Sequence, residues 1–170
     1  MKRTARRQAV AAPEERTRCT VASPVGPLRL SATAEGLCEV AFDAAEPPGA
    51  PATPLLEEAA RQLEAYFDGR LRDFTLPLAP EGTEFQLRVW RALRAIPHGT
   101  TASYGEVARA LGDVKAVRAV GLANGKNPLA IVVPCHRVIG ASGDLVGYAG
   151  GLPRKRWLLA HESPQRSLLR

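Results

Sequence analysis

The sequence predicts a mixed α/β (α+β) fold: a small antiparallel sheet with one helix, then a mainly helical half that carries the chemistry. Three observations predict it. Short apolar stretches alternate with turn signals over residues 18–42. One helically periodic stretch runs from Thr53 to Gly69, and two capping boxes, Thr83-x-x-Gln86 and Ser103-x-x-Glu106, open helices in the second half. The 170 residues divide into a flexible basic arm (1–16), an N-terminal α/β unit (17–80) and a C-terminal unit (81–170), the last two joined at Ala79-Pro80-Glu81-Gly82.

In the N-terminal unit, Val21, Leu28, Leu30, Leu37, Val40 and Phe42 are punctuated by Ser23-Pro24, Gly26-Pro27 and Glu35-Gly36, which predicts two or three antiparallel strands. A Pro/Ala loop over residues 44–52 follows. Thr53 can then cap a helix whose first residue is Pro54, where a missing N–H costs nothing. Leu55, Leu56, Ala59, Leu63 and Phe67 recur near the helical period, and Gly69 ends the helix. Residues 71–78 are expected to add a last strand. No catalytic constellation is visible in this half, and Cys19 and Cys38 read as small buried residues.

In the C-terminal unit, the first capping box opens a helix with Phe85, Val89, Trp90, Leu93 and Ile96 inward, closed by Pro97-His98-Gly99. The second opens a short helix over residues 104–111. Gly112 ends it, and Asp113 is expected to cap another running to about Ala123. Two short helices joined by a Gly-Asp turn follow the helix-turn-helix pattern. On the second, Lys115, Arg118 and Leu122 recur at spacings of three and four among the small Ala116, Ala119 and Ala123, so the helix can sit close to a nucleic-acid groove; the alternative is an ordinary helix pair with solvated charges. Asn124 to Pro128 form a connector, Gly147-Tyr148-Ala149-Gly150-Gly151 a glycine-rich loop, and a last helix runs from Pro153 to about Glu162 with Trp157, Leu158 and Leu159 inward.

Composition excludes several classes. No apolar run approaches the roughly 18 residues a membrane span needs, and the basic N-terminus is not followed by a secretory apolar segment, so cytoplasmic residence is expected. Three cysteines cannot all pair, no CxxC occurs, and His98, His136 and His161 are the only histidines, which leaves no structural zinc site and no metal expected. No Walker-type Gly-Lys-Ser/Thr follows the glycine-rich loop, which argues against a phosphate cradle. Charge is uneven. Residues 1–18 carry six basic and two acidic side chains, residues 19–80 four and nine, and residues 81–170 thirteen and six. A polyanion partner for the basic half and a merely solvated surface both fit that distribution.

The chemistry concentrates in Ile131-Val132-Val133-Pro134-Cys135-His136-Arg137-Val138. Ile131 to Val133 read as a short buried strand, and Pro134 ends the ladder. Cys135 beside an imidazole and a guanidinium is placed for nucleophilic chemistry. Sequence neighbours on an extended chain point to opposite sides. Either Pro134 therefore bends the chain enough for His136 to reach the sulfur, or a water bridges the two. A carboxylate should orient the imidazole, and Glu162, on an otherwise apolar helix, is the least explained as a surface charge.

Pro134-Cys135-His136-Arg137-Val138 resembles the active-site signature of the O6-alkylguanine-DNA alkyltransferases. Ser103-Tyr104-Gly105-Glu106-Val107-Ala108, Ala116-Val117-Arg118-Ala119-Val120-Gly121, Asn127-Pro128, the loop from Gly147 to Gly151 and Trp157-Leu158-Leu159-Ala160-His161-Glu162 resemble further family blocks in family order. The resemblance implies a ribonuclease H-like N-terminal domain, a winged helix-turn-helix-like C-terminal domain and no cofactor. It implies single-turnover transfer of a methyl or other alkyl group to Cys135 from O6 of a flipped guanine in double-stranded DNA bound through the minor groove, with O4 of thymine an open second site. His136, through a water, and Glu162 would hold Cys135 as thiolate; Tyr104 would donate to guanine N3; Asn127 would brace the site. Val138, Tyr148, Ala149 and Gly150 would line the base pocket. Arg118 would enter the space left by the base, with Lys115, Ala119, Ala123 and Arg137 also on the DNA, and the protein would act as a monomer. Ala149 stands where some members carry serine, so a side-chain hydroxyl to O6 is missing.

Three rivals make different demands. A non-catalytic alkylated-DNA-binding protein would lack Cys135. A helix-turn-helix regulator needs several base-reading side chains, where this helix offers mainly Arg118. A Cys-His hydrolase would turn over thioesters or amides and would leave the DNA-binding pattern unexplained.

Overall fold

Three strands, β1 (Thr17–Val21), β2 (Leu28–Ala32) and β3 (Leu37–Phe42), form an antiparallel meander in the computed structural model, which describes residues 15–164. The expected arm therefore falls, except for Glu15 and Arg16, outside the described residues. Helix α1 (Pro54–Phe67) covers the sheet, and Leu28, Leu30, Leu37 and Val40 pack with its Leu56, Ala59 and Leu63. The Thr53 hydroxyl accepts the Leu56 N–H, and Pro54 occupies the first turn, as the sequence predicts.

The expected strand over residues 71–78 does not form. The segment meets β3 at one parallel bridge, Leu37 to Leu78, with Leu37 N donating to Pro77 O and Ala79 N to Leu37 O, both at 2.8 Å. Pro77 lacks the donor that a longer ladder would need.

The second half contains α2 (Glu84–Arg94), β4 (Ala102–Ser103), α3 (Tyr104–Ala110), α4 (Val117–Gly125), a 3-10 turn at Cys135–Arg137, β5 (Val138–Ile139) and α5 (Leu152–Glu162). Both predicted capping boxes are complete. Trp90, buried on α2, donates its indole N–H to Ala123 O at 2.9 Å and so fixes α2 against α4. Strands β4 and β5 pair in parallel over two residues each, tying the start of α3 to the residue that follows Arg137.

Two expectations need correcting. Asp113 does not cap the helix after it: its carboxylate accepts the Lys115 N–H at 3.0 Å in a local turn, and α4 begins only at Val117. Asp competes well for nearby backbone donors in this way, and Lys115 is left ahead of the helix. Ile131-Val132-Val133 is not a strand either. These residues are buried in consecutive tight turns, with Val132 N donating to Ala130 O and Cys135 N to Val133 O, both at 2.8 Å. Ile131 has φ 72°, a left-handed conformation that a β-branched residue adopts only under constraint.

The halves meet along β3. At the far end of that edge strand Val40 N donates to Pro128 O and Ala130 N to Val40 O, a single parallel bridge that places the segment leading to Cys135 against the sheet.

Candidate active site

Asn127 holds the turn segment that carries the cysteine. Its Nδ2 donates to Val133 O at 2.8 Å and its Oδ1 accepts the Leu129 N–H at 3.0 Å, so one side chain bridges both ends of residues 129–133. A backbone without a ladder needs such partners when it is buried. Asn124 Nδ2 reaches Cys135 O at 3.4 Å.

Cys135 is buried at the base of a cavity of about 240 Å3 that Asn127, Tyr148, Ala149 and Gly150 also line. Burial pushes its thiol above the ordinary cysteine value, while Asn127, Lys155 and Tyr148 pull it partway back. At rest these electrostatics favour the protonated sulfur, not the thiolate that the resemblance implies. The Tyr148 hydroxyl is buried against Cys135 without a full hydrogen-bond partner.

Glu162 gathers the charges. Its Oε1 accepts from His136 Nε2 at 2.7 Å, Tyr66 OH at 2.8 Å and Arg137 Nη2 at 2.9 Å, and its Oε2 accepts from Arg137 Nε at 2.8 Å. Burial pushes its carboxyl up, but the hydrogen bonds and charges of His136 and Arg137 reverse this and leave it well below the usual carboxylate range. Burial likewise pushes His136 below the ordinary imidazole value, and Glu162 only partly offsets it. An ionised carboxylate only accepts, so His136 carries its proton on Nε2. Nδ1 is then a bare lone pair, buried and without a protein partner.

The structure redistributes several predicted residues. Arg137 is buried, its guanidinium spent on Glu162 and on Ile96 O at 2.7 Å, so it does not face DNA. Ala123 is buried beneath Trp90. Arg118 and Ala119 are exposed on α4, with Lys115 exposed just before it. Val138 is fully buried and not among the cavity-lining residues; its carbonyl accepts Lys155 Nζ at 2.6 Å. Tyr104 is half-buried at the start of α3, with its ring beside Gly121 and its hydroxyl on Val146 O at 3.0 Å. Burial, followed by the Cys135 sulfur, raises its phenol above the ordinary value.

Sequence reasoning missed two residues. Tyr66, from the half that read as quiet, reaches Glu162 across 96 positions of chain. Lys155 is fully buried and donates to the carbonyls of Val138, Val146 and Gly147, fastening the glycine-rich loop. A helical stripe of Lys155, Leu158 and Glu162 was readable at spacings of three and four, but a lysine within it reads as solvent-facing.

The family model for the 6-O-methylguanine DNA methyltransferase DNA binding domain matches residues 84–164, and that for the ribonuclease-like domain matches residues 18–80. The chain is 54% identical over 146 residues to the methylated-DNA–protein-cysteine methyltransferase of Methanosarcina acetivorans, covering 82% of this chain and 94% of that one. It is 50% identical over 148 residues to the protein of the same name from Mycobacterium bovis, covering 84% and 90%. Among solved structures, the O6-methylguanine methyltransferase of Mycobacterium tuberculosis superposes with a TM-score of 0.79 at 46% identity, covering 92% of this chain and all of that one. The Mycobacterium tuberculosis OGT in complex with DNA gives 0.78 at 49%, covering 85% and 92%. The chain belongs to the methylated-DNA–protein-cysteine methyltransferase family of DNA-repair enzymes.

Proposed function

We propose that this protein binds alkylated double-stranded DNA through the minor groove and transfers a methyl or other alkyl group from O6 of a flipped guanine to Cys135, once per molecule. One observation carries the reading: Cys135 is buried and lines a small cavity, and His136, the residue after it in the chain, is held through Nε2 by Glu162 with its Nδ1 left unpaired.

The atoms balance without a cofactor. The Cys135 proton passes through a water to His136 Nδ1, and Glu162 stabilises the imidazolium. The sulfur attacks the alkyl carbon in line, a C–S bond forms, and the C–O6 bond breaks with its electron pair going to guanine. Tyr104 supplies a proton at N3, so guanine leaves neutral; the phenol then regains a proton from solvent as the His136 imidazolium releases one to it. The product thioether offers no electrophilic carbonyl to water, which makes the protein a reagent. Because burial favours the thiol at rest, proton transfer belongs to the substrate-bound step, when the base displaces solvent.

O6 lies inside the duplex, so the base must be extruded first. Arg118, exposed on α4 between small residues, would fill the gap, and Lys115 with the basic balance of residues 81–170 would hold phosphates without reading sequence. Ala149 leaves only backbone groups to meet O6 at that position. We read residues 17–80 and 81–170 as two domains. The site is complete in one chain, which supports a monomer, and a working thiol needs the reducing conditions of a cytoplasm.

Titration of a duplex containing one O6-methylguanine against the protein tests this reading. Methyl loss should stop at one equivalent per protein; continued turnover, or no loss at all from folded protein, would overturn it.

A further inference from the structure

The cavity above Cys135 has a wall that the second half of the chain does not supply. Phe42, the last residue of β3, and Asp43 just after it line it together with Tyr148, Ala149 and Gly150. The half-buried Phe42 ring meets Tyr148 edge-on, with centroids 6.0 Å apart and planes at 65°. It also lies so close to the Gly150 backbone that a Cβ there would fall 2.6 Å from a ring carbon. Nothing larger than glycine fits at position 150 while Phe42 stays in place.

Arg154, in the first turn of α5, keeps it in place. Its guanidinium sits 4.9 Å over the Phe42 ring. Nε donates to Val25 O at 2.9 Å, and Nη1 donates to Gly150 O at 3.3 Å and to Asp43 Oδ2 at 3.0 Å. Nη2 donates to Asp43 Oδ1 at 2.5 Å. One side chain thus spans the β1–β2 turn, the end of β3 and the pocket loop. The local backbone fits this arrangement. Asp43 adopts φ 57°, a left-handed conformation that Asp tolerates, and Gly26 at φ 97° leaves room for the guanidinium, which would lie 3.2 Å from a Cβ there. A planar cation that both forks onto a carboxylate and stacks on an aromatic face is a role lysine does not fill.

We propose that Phe42, clamped by Arg154, is a specificity-determining residue that limits the size of the alkyl group Cys135 can accept. The inference rests on the alkyl-transfer reading above. The cavity, at about 240 Å3, is below the roughly 300–1,000 Å3 of ordinary ligand pockets. The flipped base and its substituent share that space, and a substituent extending past Tyr148 meets the Phe42 ring. Misfit of even one methylene in an apolar pocket changes rates by about 10–200-fold.

The test compares second-order transfer rates on the same duplex carrying O6-methylguanine or O6-benzylguanine, using the full chain. Phe42→Ala should raise the benzyl-to-methyl rate ratio by about tenfold or more. Phe42→Leu, which keeps an apolar contact with Tyr148 and guards against misfolding of the alanine variant, should raise it less. Arg154→Ala should move the ratio in the same direction by freeing the ring. A merely structural Phe42 would slow both substrates together. Ratios within twofold of wild type for Phe42→Ala and Phe42→Leu, with wild-type methyl transfer intact, overturn the size limit and leave the alkyl-transfer reading standing. Wild-type protein that removes neither group overturns that reading itself.

Discussion

His136 Nε2 and Glu162 Oε1 lie 2.7 Å apart, both buried, and this contact decides which nitrogen of the imidazole is available. Glu162 stays ionised because His136 and Arg137 outweigh the cost of its burial. His136 stays neutral because burial outweighs Glu162. The pair therefore holds one proton on Nε2 and leaves Nδ1 bare.

Replacing Glu162 by Gln removes the acidic partner of a buried guanidinium. A buried charge that loses its partner costs about 3–5 kcal/mol, read as a lowered midpoint of urea unfolding. An amide can also present its N–H to His136 and reverse the tautomer. Alkyl transfer should fall by roughly a hundredfold or more, the scale of a general base. A variant as stable and as fast as wild type would contradict the assigned roles.

Acid should cost both stability and rate, with the sign set by two lowered pKa values. Both His136 and Glu162 bind protons less readily in the folded chain than in the unfolded one. Linkage then makes stability fall as pH falls. The His136 contribution is complete above about pH 6.5 and is lost below it, and the Glu162 contribution is complete above about pH 4.3 and is lost in stronger acid. The acid limb of the transfer rate should lie below about pH 6.5, since neutral His136 is the competent form. A limb centred above that value in a pH series would contradict the burial-driven shift.

Asn127→Ala should loosen the cysteine-bearing turns. It strips a partner from Val133 O and from the Leu129 N–H, at about 1–3 kcal/mol for each group left unpaired. It also removes a group that lowers the Cys135 pKa. Slower transfer should accompany the lost stability, and chemical denaturation with single-turnover kinetics on one preparation measures both. Unchanged kinetics would assign Asn127 to folding alone.

Lys155→Met keeps the length of the side chain but leaves three carbonyls, those of Val138, Val146 and Gly147, without their shared donor. Amides over residues 146–150 should exchange with deuterium faster, while those of β2 keep their protection. Equal protection in both regions would show that the lysine does not hold the loop.

Much of this was legible in the sequence because it is local. Thr53, Thr83 and Ser103 cap helices through bonds that span three residues, and these patterns need no distant partner. Ile131 to Val133 misled for the opposite reason. A short apolar run is equally a strand and a buried turn; the side-chain brace from Asn127 and the distant bridge from Val40 to residues 128–130 accompany the second. Tyr66 and Lys155 were missed because each acts through a partner far along the chain or from inside the core. Arg137 was placed on the DNA by the resemblance alone, and its carboxylate partner Glu162 lies 25 positions away, beyond any local pattern.

Arg118→Ala should impair extrusion while sparing the chemistry. The side chain is exposed on α4 and touches none of the relay. Transfer from duplex DNA should slow by about tenfold or more, with free O6-benzylguanine base affected far less. Equal slowing of both substrates would count against a role in base extrusion.

The most direct measurement is the mass of the tryptic peptide carrying Cys135 after incubation with O6-methylguanine duplex, alongside Cys135→Ser. The account predicts a stoichiometric gain of one methylene localised to Cys135, and no gain in the serine variant. An unmodified Cys135 peptide from folded, DNA-binding protein, or a methyl carried on any other residue, would contradict it.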